Sequence, residues 1–375
     1  MWTRKAALYL TSGIALLLLG MMVGNPQMMI FGIVFLSFIV VNSWLSGHGD
    51  VELTRRLSAD NVYKGDDISV ELIIRNKSLR RTHHLEIFDN VPHEMKIKSG
   101  LNMMRLNLGP GNEASIRYTL RCPLRGHFSV GPTSMRFRNT FNLFTQEMYS
   151  DHRSDLIVFP QVRDVEEAII KSNVPKMYTG ATVLRSPGPG TEFYALREYF
   201  PGDPFKNINW KAFARAGKLM INEKCRDAVT DVFIILDSRD VSRIGTVLKN
   251  PVEMGSVAAA SLASFFIQRR DSVALAVYDD HLSYLPADSG DKQYFKILSS
   301  LAGVVPRGNM PLQAVTNALA PRFSRGSPIF IISSLEGDGT VPPAVRDLAG
   351  REHDVTVLSP SSIDLEPVSY THLRA

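Results

Sequence analysis

Asp231-Val232-Phe233-Ile234-Ile235-Leu236-Asp237 is the stretch that decides the fold of the C-terminal half. Its apolar run has no polar interruption, which marks a strand covered on both faces, and such strands belong to parallel sheets flanked by helices. The pattern then alternates. A proline-opened helix is expected from Pro251 to Arg270, then a strand at Ser272–Tyr278 with an edge hairpin through His281 to Pro286. Helical patterns at Lys292–Val304 and Leu312–Phe323 lead to a strand at Pro328–Ser333, a helix at Pro343–Arg351 and a strand at Asp354–Leu358. Strands alternating with helices predict an α/β, doubly wound, Rossmann-type sheet.

Upstream the grammar changes. Residues 51–160 carry period-two runs such as Ile68-Ser69-Val70-Glu71-Leu72-Ile73-Ile74, broken by turn formers at Lys64-Gly65-Asp66-Asp67 and Gly109-Pro110-Gly111-Asn112. Short alternating strands at this spacing predict an all-β, Ig-like antiparallel sandwich without a helix of any length. Residues 161–191 read as a linker, with an acidic helical turn at Asp164–Lys171 and the stretch Arg185-Ser186-Pro187-Gly188-Pro189-Gly190. The signature segment and α/β domain take 192–360. The tail, 361–375, continues neither pattern and reads as truncated or, from Val368 on, foreign.

The N-terminal 50 residues contain no acid before Asp50. Residues 6–23 and 28–45 are two 18-residue uncharged runs, and about 20 apolar residues cross a hydrocarbon core of about 30 Å. They are joined by Gly24-Asn25-Pro26-Gln27 and predict a two-helix membrane hairpin. Arg4 and Lys5 precede it, Arg55 and Arg56 follow it, and the connection has no cation, so the N-terminus and the soluble domains are expected in the cytoplasm of a multi-pass cell-membrane protein. A cleaved signal peptide is disfavoured because a second apolar run follows at once and Gly20-Met21-Met22-Val23 offers no small-residue cleavage site.

Ligands of open α/β sheets bind beyond the carboxyl ends of the strands, which directs attention to Asp237 and to Ser333-Ser334-Leu335-Glu336. A von Willebrand factor A domain places a metal-ion-dependent adhesion site there, with Asp-x-Ser-x-Ser, a Thr on a second loop and an Asp after a later strand, supplying oxygens to a hard cation. In Asp237-Ser238-Arg239-Asp240-Val241 only the leading Asp survives. The second loop, Gly308-Asn309-Met310-Pro311-Leu312, has no hydroxyl, Ser334 stands where the later Asp belongs, and Arg239 brings a cation to the same place. Asp237 is expected to cap the following loop or helix, and no cofactor, Mg²⁺ included, is expected.

Other chemistry fails on inspection. Gly217-Lys218 lacks the Gly and the Ser or Thr of a phosphate loop, having Ala212 and Leu219 in their places, and Gly188-Pro189-Gly190 follows no strand. His83, His84 and His93 lack metal-ligand spacing and read as solvated. Cys122 and Cys225 fit neither a disulfide framework nor a CxxC motif, and suit a reducing compartment. The net charge of +5 comes from cations interleaved with acids, so no nucleic-acid partner is implied, whereas an anionic lipid membrane is compatible.

The most distinctive stretch is Arg197-Glu198-Tyr199-Phe200-Pro201-Gly202-Asp203, followed by Ile208-Asn209-Trp210-Lys211 and Ala214-Arg215-Ala216-Gly217-Lys218-Leu219. Trp210 reads as a partly buried residue whose loss would destabilise the domain, and Lys206 and Lys218 as exposed cations. The mixture of cations with Glu198, Asp203 and Glu223 could clamp onto the sheet through ion pairs or face a partner. These residues resemble the signature of the prokaryotic DUF-fifty-eight family, in which Arg-Glu-Tyr-x-Pro-Gly-Asp runs into a Trp and an Ala-Arg pair ahead of a von Willebrand factor A-like domain. The membrane hairpin and the pattern Arg125, Gly126, Gly131, Pro132 extend the resemblance over nearly the whole chain. At Asn139-Thr140-Phe141-Asn142-Leu143-Phe144 members often read Asp-Pro-Phe-Gly-Leu-Phe, a departure confined to one turn.

The resemblance implies Arg197, Glu198, Tyr199, Pro201, Gly202, Asp203, Asn209, Trp210, Lys211 and Arg215 as signature or interaction residues, with no catalytic residue. It implies a MoxR-type AAA+ ATPase as partner, and a membrane-anchored, non-enzymatic adaptor working in protein maturation or assembly on a client the residues do not name. A metal-dependent, adhesion-type ligand-binding protein is the alternative. A nucleic-acid module and a membrane hydrolase have less support, because the basic stretch holds one Trp and no hydrolase motif is present.

Overall fold

The computed structural model describes residues 2–45, 50–79, 81–138, 141, 143–165, 193–224, 231–243, 245–324, 326–335 and 337–360. Most of the expected linker, the tail, Cys225 and Glu336 lie outside those residues. The chain divides into two units, residues 1–161 and 162–375.

The first unit begins with α1 (Arg4–Val23) and α2 (Pro26–Leu45), both long and apolar enough to cross a bilayer. Thr3 caps α1, Gly24 ends it in the left-handed conformation with φ 71°, and Asn25 accepts a hydrogen bond from the Gln27 amide, so the connection is shorter than the four residues expected. Pro26 and Gln27 belong to the helix, because proline's fixed φ suits a first turn that needs no amide donor. The helices pack closely: a Cβ on Gly20 would lie 2.9 Å from the Met29 nitrogen, and one on Gly32 2.9 Å from the Leu17 nitrogen, the small-residue contact that lets membrane helices approach.

The described residues that follow form the strands β1 (Val51–Leu57), β2 (Asn61–Tyr63), β3 (Asp67–Asn76), β4 (Thr82–Asp89), β5 (Lys96–Gly100), β6 (Met103–Leu108), β7 (Glu113–Arg121), β8 (Gly126–Val130), β9 (Thr133–Arg138), β10 (Thr145–Ser150) and β11 (Ser154–Phe159). They form sheets ordered β1-β3-β7-β5, β10-β9-β4-β6 and β2-β11-β8. All pairings are antiparallel except β2 with β11. Period two in the sequence becomes one buried face: Ile68, Val70, Leu72 and Ile74 of β3 meet Leu85 and Ile87 of β4, Tyr118 and Leu120 of β7, and Leu156 and Val158 of β11 in one core. Arg55, read above as a cation flanking the spans, is buried instead. It pairs with Asp89 and donates to Thr133 Oγ1 and to the Val130 carbonyl. His84 and His93 are exposed and His83 is half-buried.

The second unit contains a hairpin of its own, β12 (Phe193–Glu198) and β13 (Met220–Lys224), enclosing the short helix α3 (Trp210–Ala216). The five-stranded sheet comprises β14 (Asp231–Asp237), β15 (Ser272–Tyr278), β16 (Leu282–Asp288), β17 (Pro328–Ile332) and β18 (Asp354–Leu358). Its order is β16-β15-β14-β17-β18, parallel except for the antiparallel edge strand β16. Helix α4 (Pro251–Gln268) covers one face, where Gly255 allows such an approach that a Cβ would lie 2.8 Å from Leu236 Cδ1. Next along the chain is α5 (Asp291–Ala302), which packs on α4. The opposite face packs Phe233, Ile235 and Ile331 against Leu312, Val315 and Leu319 of α6 (Leu312–Leu319) and Ala344 and Leu348 of α7 (Val341–Gly350). The expected helix to Phe323 stops at Leu319, where Ala320–Arg322 tightens into a 3₁₀ turn around Pro321. Helix α7 starts two residues early because Pro342 and Pro343 sit in its first turn, where no amide donor is needed.

Candidate functional site

Strand β14 leads to β15 on one side and adjoins β17 on the other, so the strand order reverses at its carboxyl end, the place where open α/β sheets hold ligands. Asp237 ends β14 there. Its carboxylate is closed by the residue two positions on: Arg239 Nε donates to Oδ1 at 2.9 Å and Nη2 to Oδ2 at 2.6 Å. The Arg239 amide adds a bond to Oδ1 at 3.0 Å and Ser333 Oγ one to Oδ2 at 2.6 Å. The remaining guanidinium nitrogen, Nη1, donates to Asp338 Oδ2 at 3.1 Å. Asp338 in turn accepts from the Leu312 amide at the start of α6 (2.9 Å) and from the Thr340 amide (2.8 Å) and Oγ1 (2.6 Å). The Arg239 side chain is 1% exposed and lies 5.6 Å from the Tyr278 ring centre. The Tyr278 hydroxyl is buried and has no hydrogen-bond partner among the described residues.

This arrangement corrects the reading of Asp237 as a simple cap: it accepts one loop amide, but its main partner is a buried guanidinium. Burial opposes the charge of Arg239, yet the hydrogen bonds and charge of Asp237 outweigh it and raise its pKa. Burial likewise pushes the Asp338 carboxyl up, and the bonds from Thr340 and Leu312 reverse this and hold it below the ordinary carboxylate range. Every carboxylate oxygen of the pair accepts two hydrogen bonds, which leaves no lone pair aimed at a free cation, and a divalent metal does not fit these residues as they stand. Among the described residues no group of three or more His, Cys, Asp or Glu could hold one. Asp338 is the residue that sequence reasoning missed. By sequence the position after β17 is Ser334, whereas the chain uses Ser333 and then Asp338; the signal in the sequence is Asp338-Gly339-Thr340, an acid followed by a turn-forming pair.

The ten signature residues come together on the β12–α3–β13 hairpin. Phe200-Pro201-Gly202-Asp203 is a tight turn closed by the Asp203 amide on the Phe200 carbonyl (3.0 Å), with Gly202 at φ 111°, a value that suits glycine at the third position of such a turn. Arg197 holds Asp203 through a fork of 2.7 and 2.8 Å and reaches Glu223 across the hairpin at 3.2 Å. That fork and the Phe200 amide hold the Asp203 carboxyl down, to about 2, while the same contacts raise Arg197. Asn209 caps α3 by accepting from the Ala212 amide (2.9 Å) and donates to Asn222 Oδ1 on β13 (2.8 Å). Tyr199 stacks on Phe205 with centroids 5.7 Å apart. Glu198 pairs with Lys218 at 2.9 Å, in solvent.

Trp210 is not the core residue its size suggested. It is 64% exposed, edge-on to Phe213 at 6.3 Å. The reason is local: a seven-residue helix on a two-stranded hairpin has too little surrounding structure to cover an indole, and the buried pair is Ile208 with Ile221. The expected clamp onto the sheet is corrected too, since the ion pairs of Arg197 close within the hairpin. Phe200, Phe205, Trp210 and Phe213 are all exposed, beside Lys206, Lys211 and Arg215, which make no ion pair with a described residue.

Among solved structures, the CARDB domain of a Pyrococcus furiosus protein is 13% identical and matches 30% of this chain and 97% of its own length at a TM-score of 0.20. Native E. coli alpha-2-macroglobulin is 15% identical over 30% of this chain and 7% of its own, at 0.22. Likeness at that level carries no argument about fold, which rests here on strand pairing. The uncharacterized proteins Rv1480 of Mycobacterium tuberculosis and Mb1516 of Mycobacterium bovis are each 24% identical over 211 residues, 54% of this chain. The chain spans 66% of the length of these relatives. Residues 195–370, which include most of the signature hairpin and the whole parallel sheet, match the sequence family described as Protein of unknown function DUF58.

Proposed function

We propose that this chain is a membrane-anchored, non-enzymatic adaptor that presents the β12–α3–β13 hairpin to a protein partner. The observation that carries the reading is the exposed set Phe205, Trp210 and Phe213 beside the exposed cations Lys206, Lys211 and Arg215, which pair with no described residue. Aromatic residues and Arg are the types enriched at protein interfaces, and exposed cations favour and accelerate encounter with an acidic face. The resemblance read from the signature makes a MoxR-type AAA+ ATPase the partner, in the maturation or assembly of other proteins. The β16-β15-β14-β17-β18 order with its antiparallel edge supports a von Willebrand factor A-like reading of the sheet. In that reading Arg239 takes the place of the metal ion, so docking is independent of Mg²⁺. The cations in the first turn of α1, with none between the helices, support a cytoplasmic location for the β-sandwich and the α/β domain.

The test is capture of a MoxR-type AAA+ ATPase by the full chain in detergent. The parent retains it in the presence of a chelator, whereas Trp210→Ala and the triple variant Lys206→Glu, Lys211→Glu, Arg215→Glu lose most of it. Capture abolished by the chelator would favour the adhesion-type alternative. Capture unchanged by both variants would overturn the assignment of the hairpin as the docking face.

A further inference from the structure

Between β9 and β10, the described residues Phe141, Leu143 and Phe144 stand against the membrane hairpin. The Thr3 amide and the Thr3 hydroxyl both donate to the Leu143 carbonyl, each at 3.0 Å, and Trp2 pairs with Phe144 as an antiparallel bridge with rings 5.7 Å apart. Leu143 is buried. Phe141 reaches further along the helices and packs edge-on against Phe38 of α2 at 5.1 Å, and Phe38 lies 6.0 Å from Tyr9 of α1.

These contacts fix a depth. Phe38 is seven residues from the end of α2 at Leu45, roughly 10 Å along a helix rising ~1.5 Å per residue. Tyr9 is five residues from the start of α1 at Arg4, roughly 7 Å by the same rise. Arg4 and Lys5 belong in the headgroup layer, so a ring resting on Phe38 lies about one to two turns below it. Phe141 is nevertheless 54% exposed, and Trp2 and Trp44 at the same end of the hairpin are exposed as well. At the headgroup end, the Leu143 carbonyl is hydrogen-bonded twice over by Thr3, which ties this part of the sandwich to the start of α1.

We propose that the β9–β10 turn is a third membrane contact: Phe141 inserts among lipid acyl chains beside α1 and α2 and seats the β-sandwich on the bilayer. The proposal rests on α1 and α2 crossing the membrane. Its occupant is lipid, because the exposed Phe141 packs on Phe38 of a helix that presents large apolar side chains outward, Ile33, Val34, Val40 and Val41 among them.

The experiment replaces Phe141 with the photoreactive p-benzoylphenylalanine in the full chain, reconstituted in vesicles of phosphatidylethanolamine and phosphatidylglycerol, with mass spectrometry of the adducts. The same residue at Ile33 and at Leu79 serves as the in-membrane and in-water reference. Lipid adducts at 141 in yield within a few fold of those at 33, and none at 79, are expected. Adducts at 33 without adducts at 141 would overturn the wedge while leaving the spans intact. Chain-to-chain crosslinks at 141 in place of lipid would overturn it in favour of a second copy. Absence of adducts at 33 would overturn the spans and the wedge together.

Discussion

Replacing Arg239 by Met keeps most of the side chain's length and removes its charge. In the parent the guanidinium donates three bonds, two to Asp237 and one to Asp338, whose side chains are 1% and 3% exposed. Without it two carboxylates are left in the interior with two hydroxyls and three amides as their remaining donors. Removing one partner of a buried ion pair costs about 3–5 kcal/mol, against a total domain stability of about 5–15 kcal/mol. At roughly 2–4 °C per kcal/mol for a unit of this size, the melting temperature of the second unit is expected to fall by about 6–20 °C. The assay is calorimetry or near-ultraviolet circular dichroism of the full chain in detergent, with the triple variant Arg239→Met, Asp237→Asn, Asp338→Asn as its control. With all three charges gone the unit is expected to recover most of the loss, since a neutral replacement of a buried pair is often tolerated. Arg239→Ser carries the same logic further: Asp237, Asp338, Ser333 and Thr340 are oxygen donors around the vacated position, and hard divalent cations take such donors. Mn²⁺ is therefore expected to raise the melting temperature of Arg239→Ser and to leave the parent unchanged. Arg239→Met melting within about 2 °C of the parent would refute the view that the guanidinium holds the carboxyl edge together, since that shift corresponds to under ~1 kcal/mol.

Trp210→Ala should melt within a few degrees of the parent, because an indole this exposed contributes about 1 kcal/mol or less to stability; a fall above about 10 °C, as for a core aromatic, would reverse the assignment. The folded carboxyl of Asp203 lies at about 2 against an ordinary 3.8, so its contribution to hairpin order is present above the ordinary value and lost as the pH falls from there through the folded one. Hydrogen exchange at Phe200 and Asp203, followed from neutral pH downward, checks this, and Asp203→Asn should abolish the acid dependence; protection that vanishes already near neutral pH would contradict it.

Local rules made much of this chain legible. Five consecutive apolar residues before Asp237 can only be a strand covered on both sides, and β14 is the central strand of the parallel sheet. Alternation from Ile68 to Ile74 can only place every second side chain in a core, and those side chains are the core of the sandwich. The uncharged runs before residue 46 made two helices for the same reason, that their composition leaves no polar face. Burial of single residues was not legible, because it depends on what else the chain brings alongside. Trp210 has the composition of a core residue and the neighbours of a surface one. Arg55, read as a membrane-flanking cation, is taken into the sandwich because Asp89, Thr133 and the Val130 carbonyl converge on it from distant strands. The carboxyl-edge network follows the same logic. Asp237 and Arg239 are adjacent in sequence, and their attraction could be read there, but Asp338 lies 99 residues from Arg239 and reaches it only once β17 has paired beside β14. Patterns of period two or of unbroken apolarity are imposed by the backbone's own geometry and so are written in consecutive residues. The partner of a buried charge is chosen by packing between segments that have no neighbourhood in the chain, and only the tertiary structure decides it.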